Sequence, residues 1–430
     1  MEDEEEEEDV LEFGHPPLPR KLRVGALILV LLAVLALLAV RAWTGSGTTH
    51  RIAVPPATPS APAVGVPPEP SLATPTTTPW PTAPGACGSE PDLAIVSSTP
   101  PKEHTGIRVL LGGDRLRMVD FDSGHTVALA DARLRHGEYV ALLAGALTTY
   151  ATTGTCEIPG RSRVLRVGAD RRISVIGSLG QTEAVLAGGD RAWVVSYPAD
   201  ADHPYGSVTP LGGGPRVRLP AGFYPYAIVS DTLVGTLQPD PGAPPNWLLL
   251  VDATTGRVRT NLGQAAWPLA TGSGQVIWSS GCDPTSDKPC TLHRRLITTG
   301  ATASYRLPRP ACCGTGIVSA DGKLLAFLLD RATTDPRYEG HSIPPGDVAV
   351  LHLDTRRLEI VPGIEIPAKM SPGLAFSADG RWLAIALNAG TRTRLLAWRS
   401  GLRHPYETMP IPGQVLGSPT LVMLAPPTDR

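Results

Sequence analysis

The sequence predicts an all-β chain: a seven-bladed β-propeller on a Pro-rich stalk, behind one apolar N-terminal segment. Three observations carry that prediction. Short Gly- and Asp-bearing turns recur between apolar runs at intervals of 42 to 56 residues through the C-terminal four-fifths of the chain. A nine-residue phrase, SADGKLLAF from Ser319, returns almost unchanged from Ser377 as SADGRWLAI. The 430 residues include 45 Gly and 45 Pro, a share that favours turn-rich β architecture over helix bundles. Rings of six or eight blades and a pair of β-sandwiches are the alternatives, and regular spacing over so long a stretch speaks against the sandwiches.

In chain order the first element is an acidic tail, residues 1–23. Nine of its first twelve residues are Asp or Glu, a like-charge block too self-repelling to fold alone. It reads either as a solvated end or as a docking strip for a basic cytoplasmic partner. Without it the charge nearly balances, with 34 basic and 31 acidic residues beyond Arg41, so no electrostatic footprint for nucleic acid is present. Five Lys against a large excess of Arg, with only three Asn, is a composition similar to that of high-GC bacterial proteins.

The second element is a transmembrane helix, expected over residues 24–42. Val24–Val40 is apolar throughout and as a helix would span roughly 25 Å, close to a bilayer's hydrocarbon thickness. Arg20, Lys21 and Arg23 precede it, which places the N-terminus in the cytoplasm and the remainder outside. The competing reading is a cleaved signal peptide, but the apolar run is long for one and the flank VRAWTGSG lacks a small-x-small cleavage site. The third element, residues 43–91, is an extracellular linker. Twelve prolines between Ile52 and Pro91, spaced by Thr, Ala and Gly, favour extended polyproline II.

Residues 92–430 form the predicted propeller. Turn centres at Ser123, Asp170, Gly213, Thr255, Thr299, Thr355 and Ser400 each join the third and fourth strands of a blade. Six further turns, LAGAL, AGGDR, VSDTL, GSGQV, SADGK and SADGR, join first and second strands. The first blade lacks a complete first pair, and the C-terminal run GQVLGSPTLVMLAPP lacks a second, so the two are expected to combine and close the ring. The SADGKLLAFLL and SADGRWLAIAL segments resemble the S-P-D-G-[KR]-x-[IL]-A-F motif of TolB-like, PD40-type WD40-like propellers of actinobacterial type, with Ala320 and Ala378 in place of Pro. The resemblance implies the propeller fold and a binding platform; it transfers no catalytic residues.

Strand alternation puts the tight turns on one face of the ring and the longer connections on the other. TTGTCEIPGRS, YPADADHPYG, QPDPGAPPN, SGCDPTSDKPC and LDRATTDPRYEGHSIPPGD all belong to the second set, which is therefore the expected binding face. Six cysteines, Cys87, Cys156, Cys282, Cys290, Cys312 and Cys313, fall on the predicted outer side and read as disulfides. Cys282–Cys290 would clip one loop; Cys312 and Cys313 would pair with each other or exchange partners with that clip; Cys87–Cys156 would tie the stalk to blade 2. Aromatic candidates on the same face are Tyr205, Phe223, Tyr224, Tyr226 and Trp267, whereas Trp193, Trp278, Trp382 and Trp398 fall inside strands and read as core. No zinc spacing, catalytic motif or cofactor motif is present, and the DFDSGH stretch (Asp120–His125), a faint echo of a calcium loop, occupies an ordinary hairpin turn. The expected function is non-enzymatic: an extracytoplasmic, membrane-anchored propeller that binds or senses a protein or cell-envelope glycan. The alternatives are a transmembrane signalling protein whose acidic tail controls a cytoplasmic regulator of sigma-factor type, and a cell-envelope propeller enzyme.

Overall fold

A computed structural model describes residues 94–424 except 114, 130–137, 144–148, 156–161, 169–171, 181–182, 189–190, 198–204, 238–246, 265–266, 283–288, 312–315, 332–344, 368–370, 390–391 and 413–419. The acidic tail, the apolar run Val24–Val40 and the Pro-rich linker lie outside the described residues, as do Cys87, Cys156, Cys312 and Cys313. No helix among the described residues is long and apolar enough to cross a membrane.

Among the described residues antiparallel strands build seven sheets of blade type, six of four strands and one with an added short strand: blade 1 within 108–128 together with Leu421–Met423, blade 2 within 138–179, blade 3 within 183–221, blade 4 within 223–264, blade 5 within 267–307, blade 6 within 317–360 and blade 7 within 373–412. Blade 4 illustrates the plan. Its strands Phe223–Val229, Thr232–Leu237, Trp247–Asp252 and Val258–Gln264 pair in sequence order from first to fourth. The first strands of successive blades touch one another around the ring, from blade 3 through 4, 5, 6, 7 and 1 to blade 2. Each seam between blades holds its own apolar cluster. Among the described residues there are seven such clusters, one for every seam; Leu110 of blade 1 clusters with Leu142 and Leu165 of blade 2, and Val164 of blade 2 with Val185 of blade 3. The core is thus a circle of separate contacts rather than one central mass.

First strands have one free edge, facing the channel, so they tolerate residues that a central strand would reject. Blades 4 and 5 both use this freedom. Pro225 and Pro268 sit in first strands, and each is followed by a register shift in the pairing with the second strand. Gly235, opposite Pro225, cannot be replaced without displacement, because a Cβ there would lie 2.4 Å from the Tyr224 carbonyl.

The repeated SADG phrase has a structural answer. Ser319 Oγ donates to Asp321 (2.6 Å), the Lys323 amide donates to the same carboxylate oxygen (3.1 Å), and the Leu324 amide donates back to Ser319 Oγ (2.9 Å). Ser377, Asp379, Arg381 and Trp382 reproduce the arrangement at 2.6, 3.0 and 2.9 Å. Only the glycines, Gly322 and Gly380, take positive φ. The aspartates therefore act as hydrogen-bond acceptors in a longer turn rather than sharing a two-residue hairpin turn with the glycine. Donation from the serine hydroxyls holds both carboxyls below their ordinary value.

The ring closes as the sequence implies. The C-terminal strand Leu421–Met423 becomes the first strand of blade 1, paired antiparallel with Arg108–Leu111, which continues into Arg117–Asp120 and Thr126–Ala128. Thr420 reinforces the closure from both sides. Its carbonyl accepts from the Gly112 amide (3.1 Å) and its hydroxyl accepts from the Leu142 amide of blade 2 (2.9 Å).

One element was not foreseen. Residues 94–106 form a strap across the outer edges of three blades. Ile95–Val96 adds a strand beside Ile364–Glu365 of blade 6, and Thr99 bonds Pro405 and Glu407 of blade 7. Ser98 Oγ donates to Glu407, which Arg394 also grips through two bonds of 2.6 and 2.5 Å. Glu103 then accepts from Arg399 at 2.9 Å, and Asp122 of blade 1 accepts from the Thr105 and Gly106 amides at 2.8 Å each.

Candidate functional site

Antiparallel order places every connection between second and third strands, and every connection between blades, on one face of the ring. We call it the loop face. The long connections singled out in the sequence lie mostly outside the described residues, but the strand ends that carry them are described. Two exposed aromatic side chains occupy these ends, and a third lies midway along a neighbouring first strand. Tyr205 opens the third strand of blade 3 and is 49% exposed; Tyr226 lies midway along the first strand of blade 4 and is 44% exposed; Trp247 opens the third strand of blade 4 and is 39% exposed. No other Trp, Tyr or Phe among the described residues is an exposed large hydrophobic.

Local bonding fixes these rings. The Arg218 guanidinium carbon lies 3.3 Å from the Tyr205 ring centroid, giving a stacked, cation-faced platform. The Tyr226 hydroxyl shares a 2.9 Å hydrogen bond with Thr236, which is itself fully buried. Tyr197 and Tyr224 stack across the seam of blades 3 and 4, with centroids 6.2 Å apart and planes 18° apart. Tyr197 donates its hydroxyl proton to the Pro225 carbonyl at 3.1 Å. Burial, with the neighbouring Tyr226 adding to it, pushes the Tyr197 phenol above its ordinary value, so it stays a neutral donor.

Of the aromatic candidates from sequence, Tyr205, Tyr224 and Tyr226 gather on blades 3 and 4, and Phe223 does not belong with them. Phe223 has no exposed surface and packs in the blade 3–4 core beside Val195 and Leu233, so it is a core residue. The cause is alternation: Phe223 and Pro225 point one way along the strand, Tyr224 and Tyr226 the other. Trp267 opens the first strand of blade 5, and its side chain falls outside the described set. Trp193, Trp278, Trp382 and Trp398 are buried. Trp247 was missed, although its place directly after the loop QPDPGAPPN marks it as the first residue to emerge on the loop face.

Blades 5 and 6 contribute rigidity to the same face. Cys282 and Cys290 form a disulfide that ties the second strand of blade 5 to the third across their connection. In blade 6 Asp347, nearly buried, is clamped between Arg309 (2.8 Å) and Arg331 (2.6 and 3.1 Å), and Arg331 also pairs with Glu365. Burial pushes the Asp347 carboxyl up, but the two arginines outweigh it and hold it below the usual carboxylate value.

Two hollows among the described residues flank blade 7 on other surfaces. The larger, about 650 Å³, lies between the strap, Phe121–Gly124 of blade 1 and Glu407–Pro410 of blade 7. Its carboxylates are already satisfied, Asp122 by the strap amides and Glu407 by Arg394 and Ser98. The smaller, about 250 Å³, sits between blades 6 and 7 at the tight-turn face, with an apolar floor including Phe376 and Trp398. On the turn below Asp120, the bonds to the carboxylate come from Ser123 and Arg108, which is hairpin and ion-pair chemistry.

No family model matches the chain, and no curated protein matches its sequence. Solved structures do resemble it. TolB from Acinetobacter baumannii is 14% identical, covering 74% of this chain and 67% of that one at a TM-score of 0.40. Apo AztD from Citrobacter koseri is 10% identical over 74% and 99% of the two chains, TM-score 0.45. A putative 6-phosphogluconolactonase from Bacteroides uniformis is 12% identical over 74% and 100%, TM-score 0.47. The propeller fold rests on the chain's own sheet order, and these similarities add no argument about its family or role.

Proposed function

We propose that this protein is a non-enzymatic binding or sensing module, anchored in the cell membrane by Val24–Val40 and presenting the loop face to an extracytoplasmic protein or glycan. The observation that carries the reading is the presence of three exposed aromatic rings, Tyr205, Tyr226 and Trp247, on the two adjacent blades 3 and 4, with Tyr205 held by Arg218 and Tyr226 by Thr236. Rigid aromatic rings with polar handles recognise sugar faces and peptide side chains at low entropic cost. The Cys282–Cys290 bond supports an oxidising compartment. Transmembrane signalling through the acidic tail is the finer alternative.

Photo-cross-linking in cells tests both. A photoreactive residue at position 205 or 247 of the full-length chain should give adducts that disappear when the other two aromatics are changed to Ala. Loss of one such anchor costs about 2 kcal/mol, or roughly 30-fold in Kd. Adducts arising only from position 255 or 323, on the tight-turn face, would reject the assignment. Deleting Met1–Glu12 separates the alternatives: a cytoplasmic partner lost with the tail identifies signalling, whereas unchanged loop-face adducts identify a binding platform.

A further inference from the structure

On the blade 5 side of the seam with blade 4, three polar side chains line up across successive strands. Ser280 ends the second strand, His293 lies in the third and Ser304 in the fourth. Ser280 Oγ is 2.7 Å from His293 Nε2, and His293 Nδ1 is 3.1 Å from Ser304 Oγ. The imidazole is fixed in plane by Trp278, whose ring stacks on it with centroids 5.3 Å apart and planes 24° apart. The strand register enforces the row, because Trp278 pairs opposite His293 and His293 opposite Ser304. Nucleophile, base and a third group orienting the base are thereby in hydrogen-bond reach of one another, the arrangement that activates a hydroxyl.

We propose that Ser280 is a nucleophilic hydroxyl, with His293 as its base and Ser304 as the positioning residue, that takes up the acyl group of an ester. With its ring proton on Nδ1, shared with Ser304, His293 leaves Nε2 free to receive the Ser280 proton. Burial against Trp278 lowers the imidazole below its ordinary value and keeps that nitrogen unprotonated near neutrality. Ser280 Oγ bonds to the acyl carbon, the carbon–alkoxide bond breaks, and the hydroxyl proton passes through Nε2 to the departing alkoxide. Gly281, the next residue, is exposed. The neighbouring disulfide holds the strand end in place, Cys282 following Ser280 by two residues. Capture of an acyl group is a chemical step, so this proposal replaces the non-enzymatic part of the binding reading, whereas the aromatic surface on blades 3 and 4 stands without it.

The test uses the full chain and a fluorophosphonate probe, in which the Ser280 oxygen displaces fluoride from phosphorus and His293 takes the proton. The expected result is a single adduct mapped by mass spectrometry to Ser280 and abolished by Ser280→Ala. His293→Asn should slow labelling by about 100-fold, in line with the contribution of a general base. Ser304→Ala should slow it less, and Ser304→Thr should restore the parent rate, which a merely structural role would not require. Absence of an adduct on the parent chain, an adduct on another residue, or an unchanged rate in His293→Asn overturns the proposal. Should His293→Asn fail to fold, the exposed Ser304→Ala decides alone, and an unchanged rate there rejects the assignment.

Discussion

Asp347 carries a pH-dependent share of the stability of blade 6. Its carboxyl is depressed in the folded state by Arg331 and Arg309, against the opposing effect of burial. A carboxyl depressed on folding contributes stability above its unfolded value of about 3.9, and that contribution drains away as pH falls through the folded value. Asp347→Asn is therefore expected to lower stability by about 2 kcal/mol at pH 7, the scale of hydrogen bonds to charged groups. The gap between variant and parent should narrow below about pH 4. Urea unfolding at pH 7 and at pH 3 checks this, and parallel losses at both values would contradict it. Residue-level legibility of the sequence was uneven for a related reason. Composition alone could not sort FYPYA, because which of its rings faces the core depends on strand phase and on the shift after Pro225. Trp247 was overlooked because the loop before it carries no period from which a strand start can be read.

At the scale of elements, turns were the most legible feature because their chemistry is local. Ser and Asp at fixed offsets in the SADG phrase supply the side-chain bonds that shape the turn, and Ser273 and Gln275 of blade 5 add bonds only to its outer carbonyls. The disulfide was legible only as one of several pairings, since sequence spacing allows what geometry must choose. Closing a connection of this length contributes about 2–3 kcal/mol. The double change Cys282→Ser with Cys290→Ser should accordingly lower Tm by about 3–4 °C in a domain of this size. Calorimetry of the oxidised parent, the reduced parent and the double variant checks it; a reduced parent melting with the oxidised one would show that the bond contributes nothing. The strap was illegible because it has neither alternation nor helical period. It is held by ion pairs and backbone bonds between residues some 300 positions apart, such as Glu103 with Arg399.

The whole molecule was readable because a ring of repeats writes the same pattern many times, so seven weak signals reinforce one another. Blade number and closure both followed from that, including the assignment of the C-terminal run to blade 1. Truncation tests the closure. Removing residues 420–430 takes away Thr420 and the strand Leu421–Met423, leaves the edge of Arg108–Leu111 unpaired, and should abolish a single cooperative transition. Removing only 425–430 should change stability by no more than about 0.5 kcal/mol. A cooperative melt in the longer truncation would show that the ring holds without its last strand. The strap gives the ring a further property, a mechanical one. Tension drawn along the chain from its N-terminal side meets blade 6 first, then blade 7, and reaches blade 1 last. The load is shared by two neighbouring blades before it arrives at the one blade that draws its strands from distant parts of the sequence, so the joint that closes the circle is the last to feel a pull.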